Sequence, residues 1–227
     1  QVHLRHRLLW VATFAIACLL LWSPFGFGLT AVLEEWGVLS LFTTHGTLFF
    51  AGADSPLAAQ RLRPLTVFPH AVVYSLAPDS FDLWNVLLMA ALLAKATAAA
   101  ILGERLTDSR RWGMVLGLLV LLHPADTMQL SFRALHINLS LALVLWGSAL
   151  MVRLDGDDHP ARKFALSALA SALLLASMLM YEAAAPLALA PFLIWFAREG
   201  FGGVAARLRS LAAPVIVWLA GVAIFGA

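Results

Sequence analysis

The strongest constraint in this sequence is a succession of apolar runs long enough to cross a lipid bilayer. Residues 8–32 pass without one Asp, Glu, Lys or Arg, and residues 83–102 are interrupted only by Lys95. A helix needs about 20 mostly apolar residues to span the hydrocarbon core. Further runs occupy residues 112–122, 135–152, 164–180, 183–196 and 211–227, the first and fourth of these being short. Composition agrees: 62% of the residues are hydrophobic and 12% charged, against about 25% charged in soluble domains. Mean hydropathy is +0.87. Lipid is the solvent this chain is built for, and the expected fold is an all-α polytopic bundle of about seven transmembrane helices.

The same counts exclude several classes of function. The net charge of +2 reflects a small excess of arginine, far from the basic surface that binding nucleic acid requires, so no nucleic-acid partner is expected. Cys18 is the only cysteine, which leaves neither a disulfide framework nor a CxxC metal site. Residues 8–32 are too long for the apolar core of a secretory signal, and Glu34-Glu35 is no small-residue cleavage site, so this run reads as a retained helix. Beginning at Gln1 and stopping at Ala227 inside an apolar stretch, the chain reads as part of a longer protein.

An eighth apolar stretch, residues 65–77, contains Pro69 and His70 and is too short to span. Its path decides the topology. If it does not cross, Arg5, Arg7, Arg105, Arg110, Arg111, Arg153, Arg162, Lys163, Arg198, Arg207 and Arg209 share one side. The positive-inside rule makes that side the cytoplasm. If it did cross, every later loop would invert and most of these cations would be exported. Residues 65–77 are therefore expected to lie along or re-enter the outer surface. The chain becomes one transmembrane module over residues 1–227, with a first outer loop at 31–82 and a second at 123–134.

Polar residues gather at the outer helix ends. The long loop carries Glu34, Glu35, Arg61, Arg63 and His70, with Asn85 just inside the following helix. The shorter loop carries His123, Asp126 and Arg133, followed by His136 and Asn138. Ionisable groups at the edge of the apolar layer are costly and usually pair or line a polar cavity. Glu34-Glu35 supplies a candidate general base; the alternative is an acidic pair that stops the helix from sliding inward. Arg61 and Arg63 suit bidentate binding of phosphate, or plain anchoring to headgroups. Glu182 lies between two apolar runs and must snorkel outward or find a partner, for which Arg133 is the first candidate. Lys95, toward the cytoplasmic end of its helix, is expected to snorkel to headgroups and is left out of the site.

The order of these motifs resembles the membrane-embedded glycosyltransferases of the GT-C class, in particular the mannosyltransferase-like members. An acidic pair after the first helix is matched by Glu34-Glu35-Trp36, and an Arg-Pro pair opening a loop helix by Arg63-Pro64-Leu65-Thr66. Asn85 corresponds to an Asn near the start of the next helix. His123-Pro124-Ala125-Asp126 with the later Arg133 is similar to the family's second outer loop, and Tyr181-Glu182 to a dipeptide between two later helices. The resemblance implies a GT-C-like seven-helix module with helices in its first outer loop, in a bacterial inner (plasma) membrane with its N-terminus cytoplasmic. It implies transfer of a sugar from a polyprenyl-phosphate carrier to an acceptor on the outer face. Glu34 or Glu35 would be the base; Arg61, Arg63 and Arg133 would hold phosphate; His70, Asn85, His136 and Glu182 would line the cavity. Asp126 with His123 or His136 could hold a divalent ion such as Mg²⁺ or Mn²⁺, judged from hard-ligand preference. The partners implied are membrane lipids and a lipid-linked sugar donor. The acidic pair is Glu-Glu where the family generally has an Asp, and Tyr181 stands where a Lys is usual. Those departures keep a second reading open, a non-catalytic subunit that serves as scaffold or partner in a membrane protein complex.

Overall fold

The computed structural model describes residues 2–25, 30, 34–49, 63–123, 131, 134–154, 159–210, 220 and 223. The helices are α1 (Val2–Trp22), α2 (Glu34–His45), α3 (Phe68–Leu76), α4 (Asp82–Thr107), α5 (Arg110–Leu122), α6 (Leu135–Arg153), α7 (Pro160–Met180), α8 (Ala185–Ala188) and α9 (Ala190–Ser210). Short 3-10 turns occupy Ser23–Phe25 and Glu182–Ala184, and no strand occurs among the described residues. Four helical stretches are long and apolar enough to cross a membrane: Asp82–Thr107, Leu135–Arg153, Pro160–Met180 and Glu182–Arg209. The apolar part of α1, His6–Trp22, is shorter. Of the other expected spans, residues 112–122 fall in α5, a helix of 13 residues, and residues 211–227 lie almost wholly outside the described residues.

Paired contacts fix the helix directions. Trp22 Nε1 donates to Asn85 Oδ1 at 3.3 Å at one end of α1 and α4, and Arg7 faces Glu104 at 3.8 Å at the other. These two helices therefore run antiparallel between what will be called the Asp82 end and the Arg105 end of the bundle. The chain reverses after α4 at Asp108, whose φ of 52° is a left-handed conformation that Asp tolerates better than most residues. Helix α5 then returns along α4 with its backbone close against it. A Cβ at Gly113 would sit 2.6 Å from the Ala100 carbonyl oxygen, and one at Gly117 would sit 2.9 Å from that of Ala96. This is the small-xxx-small approach that joins helices where lipid removes the hydrophobic incentive, and the Ala-rich face of α4 receives it.

Helix α6 is tied to α4 by Trp146 Nε1 donating to the Ala94 carbonyl at 3.1 Å. It is tied to α7 by Ser140 Oγ donating to the Ser177 carbonyl at 2.8 Å. Two apolar clusters result. Phe14, Trp22, Leu88 and Leu92 belong to the one that joins α1 to α4. Val144, Met151, Leu174, Met178 and Trp195 belong to the one that joins α6, α7 and α9.

Residues 65–77 hold only α3, nine residues long and so about 13.5 Å, well short of a crossing. Pro69, His70, Ala71 and Val73 are its buried face, packed against α4 and α6. The run at 183–196 is not one helix as expected. Pro191 has no N–H to bond back toward Leu187, and the chain breaks at Leu189 between α8 and α9. Inside α9, Gly200 (φ 67°, ψ −170°) interrupts the helix, a conformation open to glycine alone.

Candidate functional site

Three connections meet at the Asp82 end. The first is the segment before α3, which seals the end of α7. The last carbonyls of a helix have no partner within it. Here Leu65 N–H donates to the Leu179 carbonyl at 3.0 Å, and Thr66 Oγ1 to that of Met180 at 2.8 Å. Tyr181 leaves the helix in an extended conformation, and Glu182 turns back to meet Arg63, with Nε 2.8 Å from Oε2. Both side chains keep solvent contact, at 30% and 49% exposure. A guanidinium has five N–H donors and a carboxylate can take at most two, so the pair retains capacity for an anion.

The second feature is a chain of rings. His70 on α3 lies with its ring 5.0 Å from that of Trp84 on α4 and 5.8 Å from that of His136 on α6. His136 lies 6.1 Å from Tyr181. His70 is buried, and burial, reinforced by the charge of His136, pushes its pKa down to about 3. It is a neutral imidazole at physiological pH, with one nitrogen donating and the other accepting. The expected residues Arg63 and Glu182 are thus brought into contact, and His70 and His136 into a second cluster that reaches Tyr181.

Two polar residues have other work. Asn85 is buried, accepts from Trp22 Nε1 and donates to the Phe81 carbonyl at 2.9 Å, so it clamps α1 to the first turn of α4. Lys95 does not snorkel to headgroups as expected. It is 2% exposed, and its Nζ donates to Asn138 Oδ1 at 2.6 Å. The reason lies in helix geometry: Cα–Cβ bonds tilt toward the N-terminus, so a lysine on α4 leans toward the Asp82 end, where α6 presents Asn138.

Glu34 and Glu35 open α2, but their side chains, together with Arg61, Asp126 and Arg133, lie outside the described residues. Glu182 was expected to seek Arg133; its described partner is Arg63. His123 follows the last residue of α5 and is exposed. Among the described residues no three His, Cys, Asp or Glu side chains gather as a metal site would require; Asp126, the acid of the expected ion site, lies outside them. The Arg63–Glu182 contact joins residues far apart in sequence. Its signal was the placement of both residues at the same end of the bundle. The Lys95–Asn138 bond had a weaker one, since Asn138 stood out only as a polar residue at the start of a membrane helix.

Comparison with family models, curated proteins and solved structures finds no match for this chain.

Proposed function

We propose that the chain is a membrane glycosyltransferase module of the GT-C class, with about seven crossings, in a bacterial inner membrane with the Asp82 end outward. It would pass a sugar from a polyprenyl-phosphate carrier to an acceptor hydroxyl. The observation that carries this reading is the Arg63–Glu182 pair at 2.8 Å. It holds a guanidinium at the membrane edge, where a lipid-borne phosphate would lie, beside the His70–His136–Tyr181 cluster. An isolated cation there would swing freely; one oriented by a carboxylate is preorganised to stabilise charge that develops on a leaving group.

The chemistry balances with residues of this chain. Glu34 or Glu35 takes the proton from the acceptor hydroxyl, and the oxygen attacks the anomeric carbon. The bond from that carbon to the phosphate oxygen breaks. The electron pair leaves with the polyprenyl phosphate, whose charge Arg63 meets, with Arg61 and Arg133 assigned the same task. A second reading, a non-catalytic scaffold, draws support from Asn85, which resembles a site residue but joins α1 to α4.

Purified protein in vesicles, supplied with polyprenyl-phosphate sugars and short glycan acceptors, separates the two. The transferase reading expects release of polyprenyl phosphate with a glycosylated product. The E34Q/E35Q variant should lose that turnover while melting within a few degrees of the parent. Full turnover in the double variant would remove the base assignment. A parent that neither binds nor consumes any donor, yet copurifies with a defined membrane complex, selects the scaffold.

A further inference from the structure

The opposite end of the bundle carries a feature that sugar transfer leaves unused. Three helices, two of them distant in sequence, bring arginines to the last turn of α4. Arg7 of α1 lies 3.8 Å from Glu104 Oε2, and Arg110 of α5 lies 3.5 Å from Glu104 Oε1. Arg198 of α9 donates to the carbonyl of Arg105. Beyond the Gly200 break, Arg207 closes on Glu199 at 2.7 Å. Three arginines thus meet two glutamates and a fourth, Arg198, meets a backbone carbonyl; Asp108 and Arg111, both exposed at the turn into α5, add one charge of each sign. The negative end of the α4 dipole accounts for some attraction of cations. It amounts to about half a charge, too little to account for this excess.

The contacts to Glu104 exceed the 2.7–2.9 Å or so of a committed ion pair, so one carboxylate is shared loosely between two guanidiniums that stay 41% and 40% exposed. Apolar residues neighbour the cations in sequence and so lie at the same depth. Leu8 follows Arg7, Leu106 follows Arg105 and Trp112 follows Arg111, and all three are exposed, Trp112 at 62%. Phe201, just past the Gly200 break, is 80% exposed. A cationic ring with an apolar flank at the same depth matches one chemistry, an acidic phosphate carrying acyl chains. A free phosphate would use the cations and leave the flank bare.

We propose that the Arg105 end is a binding site for an anionic phospholipid of the surrounding leaflet, with Arg7, Arg110 and Arg198 on the phosphate and Leu8, Leu106 and Trp112 along the acyl chains. The site is independent of the chemistry at the Asp82 end. Basic clusters between helices on the cytoplasmic side are where such headgroups are held, and the charge bias puts this end there.

The test is native mass spectrometry of protein taken from vesicles of equal parts phosphatidylglycerol and phosphatidylcholine. The parent is expected to retain phosphatidylglycerol in preference. R7Q/R110Q/R198Q should lose at least about fivefold of that preference, on the scale of one surface arginine. R153Q, at the same membrane end but outside the cluster, should keep it. E104Q removes the shared carboxylate and should strengthen the preference, which keeps the proposal testable should the triple variant fail to fold. Equal retention of the two lipids by the parent, or an unchanged preference in E104Q, would overturn it. Displacement of the lipid by millimolar glycerol phosphate would also overturn it, in favour of a soluble anion.

Discussion

Lys95 is the residue whose environment departs most from its chemistry. An ammonium in the middle of a helix long enough to cross the membrane is expensive unless it is paired, and the described contact is to a neutral amide. Replacing Asn138 by Leu leaves the donor without that acceptor and should cost about 2–3 kcal/mol, the desolvation penalty of a charged group. K95M/N138L removes both partners and should recover most of the loss, because matched apolar replacement of a buried pair is often neutral. Unfolding titrations in mixed micelles measure this cycle. A double variant less stable than N138L would show that Lys95 does work that Asn138 does not share. His70 provides a second check. Its folded pKa of about 3 lies below the ordinary 6.5, so between those values the unfolded chain binds a proton that the folded one refuses. Stability is full above pH 6.5 and falls as the pH drops, by roughly 2 kcal/mol at pH 5. H70Q should flatten the stability difference between pH 7 and pH 5 by that amount. Equal slopes in parent and variant would mean that His70 is not held neutral.

At the scale of elements, α4 and α5 depend on the absence of side chains. The obstacle at Gly113 is a backbone oxygen, which cannot swing away, and G113A should force the helices apart at a cost of about 1–3 kcal/mol. G37A, inside α2 with nothing within 4 Å, is the control and should leave the melting temperature equal or slightly raised. Sequence reading found the helix runs that matter, because apolar length is a local property. It misplaced the interruptions. The separation of α8 from α9 follows from prolines that also occur inside intact membrane helices, and only packing decides between the two. The direction of Lys95 was readable from the Cβ tilt, whereas its acceptor on α6 required the bundle. Arg63 and Glu182 were each singled out by residue type and membrane position. Their pairing was not legible because 118 residues of chain separate them, and it is created by the way the 63–67 segment seals α7.

The arrangement of the whole molecule turns on α3. A nine-residue helix with one face packed against α4 and α6 cannot carry the chain across about 30 Å of hydrocarbon, so the segments before and after it must lie on the same side of the membrane. Cys18, the only cysteine, is buried, so the parent gives a low background for labelling by impermeant maleimides. Thr44→Cys at the end of α2 and Asp79→Cys after α3 are exposed positions and should be labelled from the same side of sealed vesicles. Ala161→Cys at the start of α7, also exposed, should be reached only from the opposite side, because α4, α5 and α6 intervene. Thr44→Cys and Asp79→Cys labelled from opposite sides would mean that α3 crosses. The Trp22–Asn85 and Arg7–Glu104 contacts would then demand a further crossing before α3, because they hold α1 and α4 antiparallel whatever path α3 takes. Same-side labelling from the outer face instead puts Arg63 and Glu182 where the proposed transfer would need them, which is the geometric condition that an external acceptor imposes.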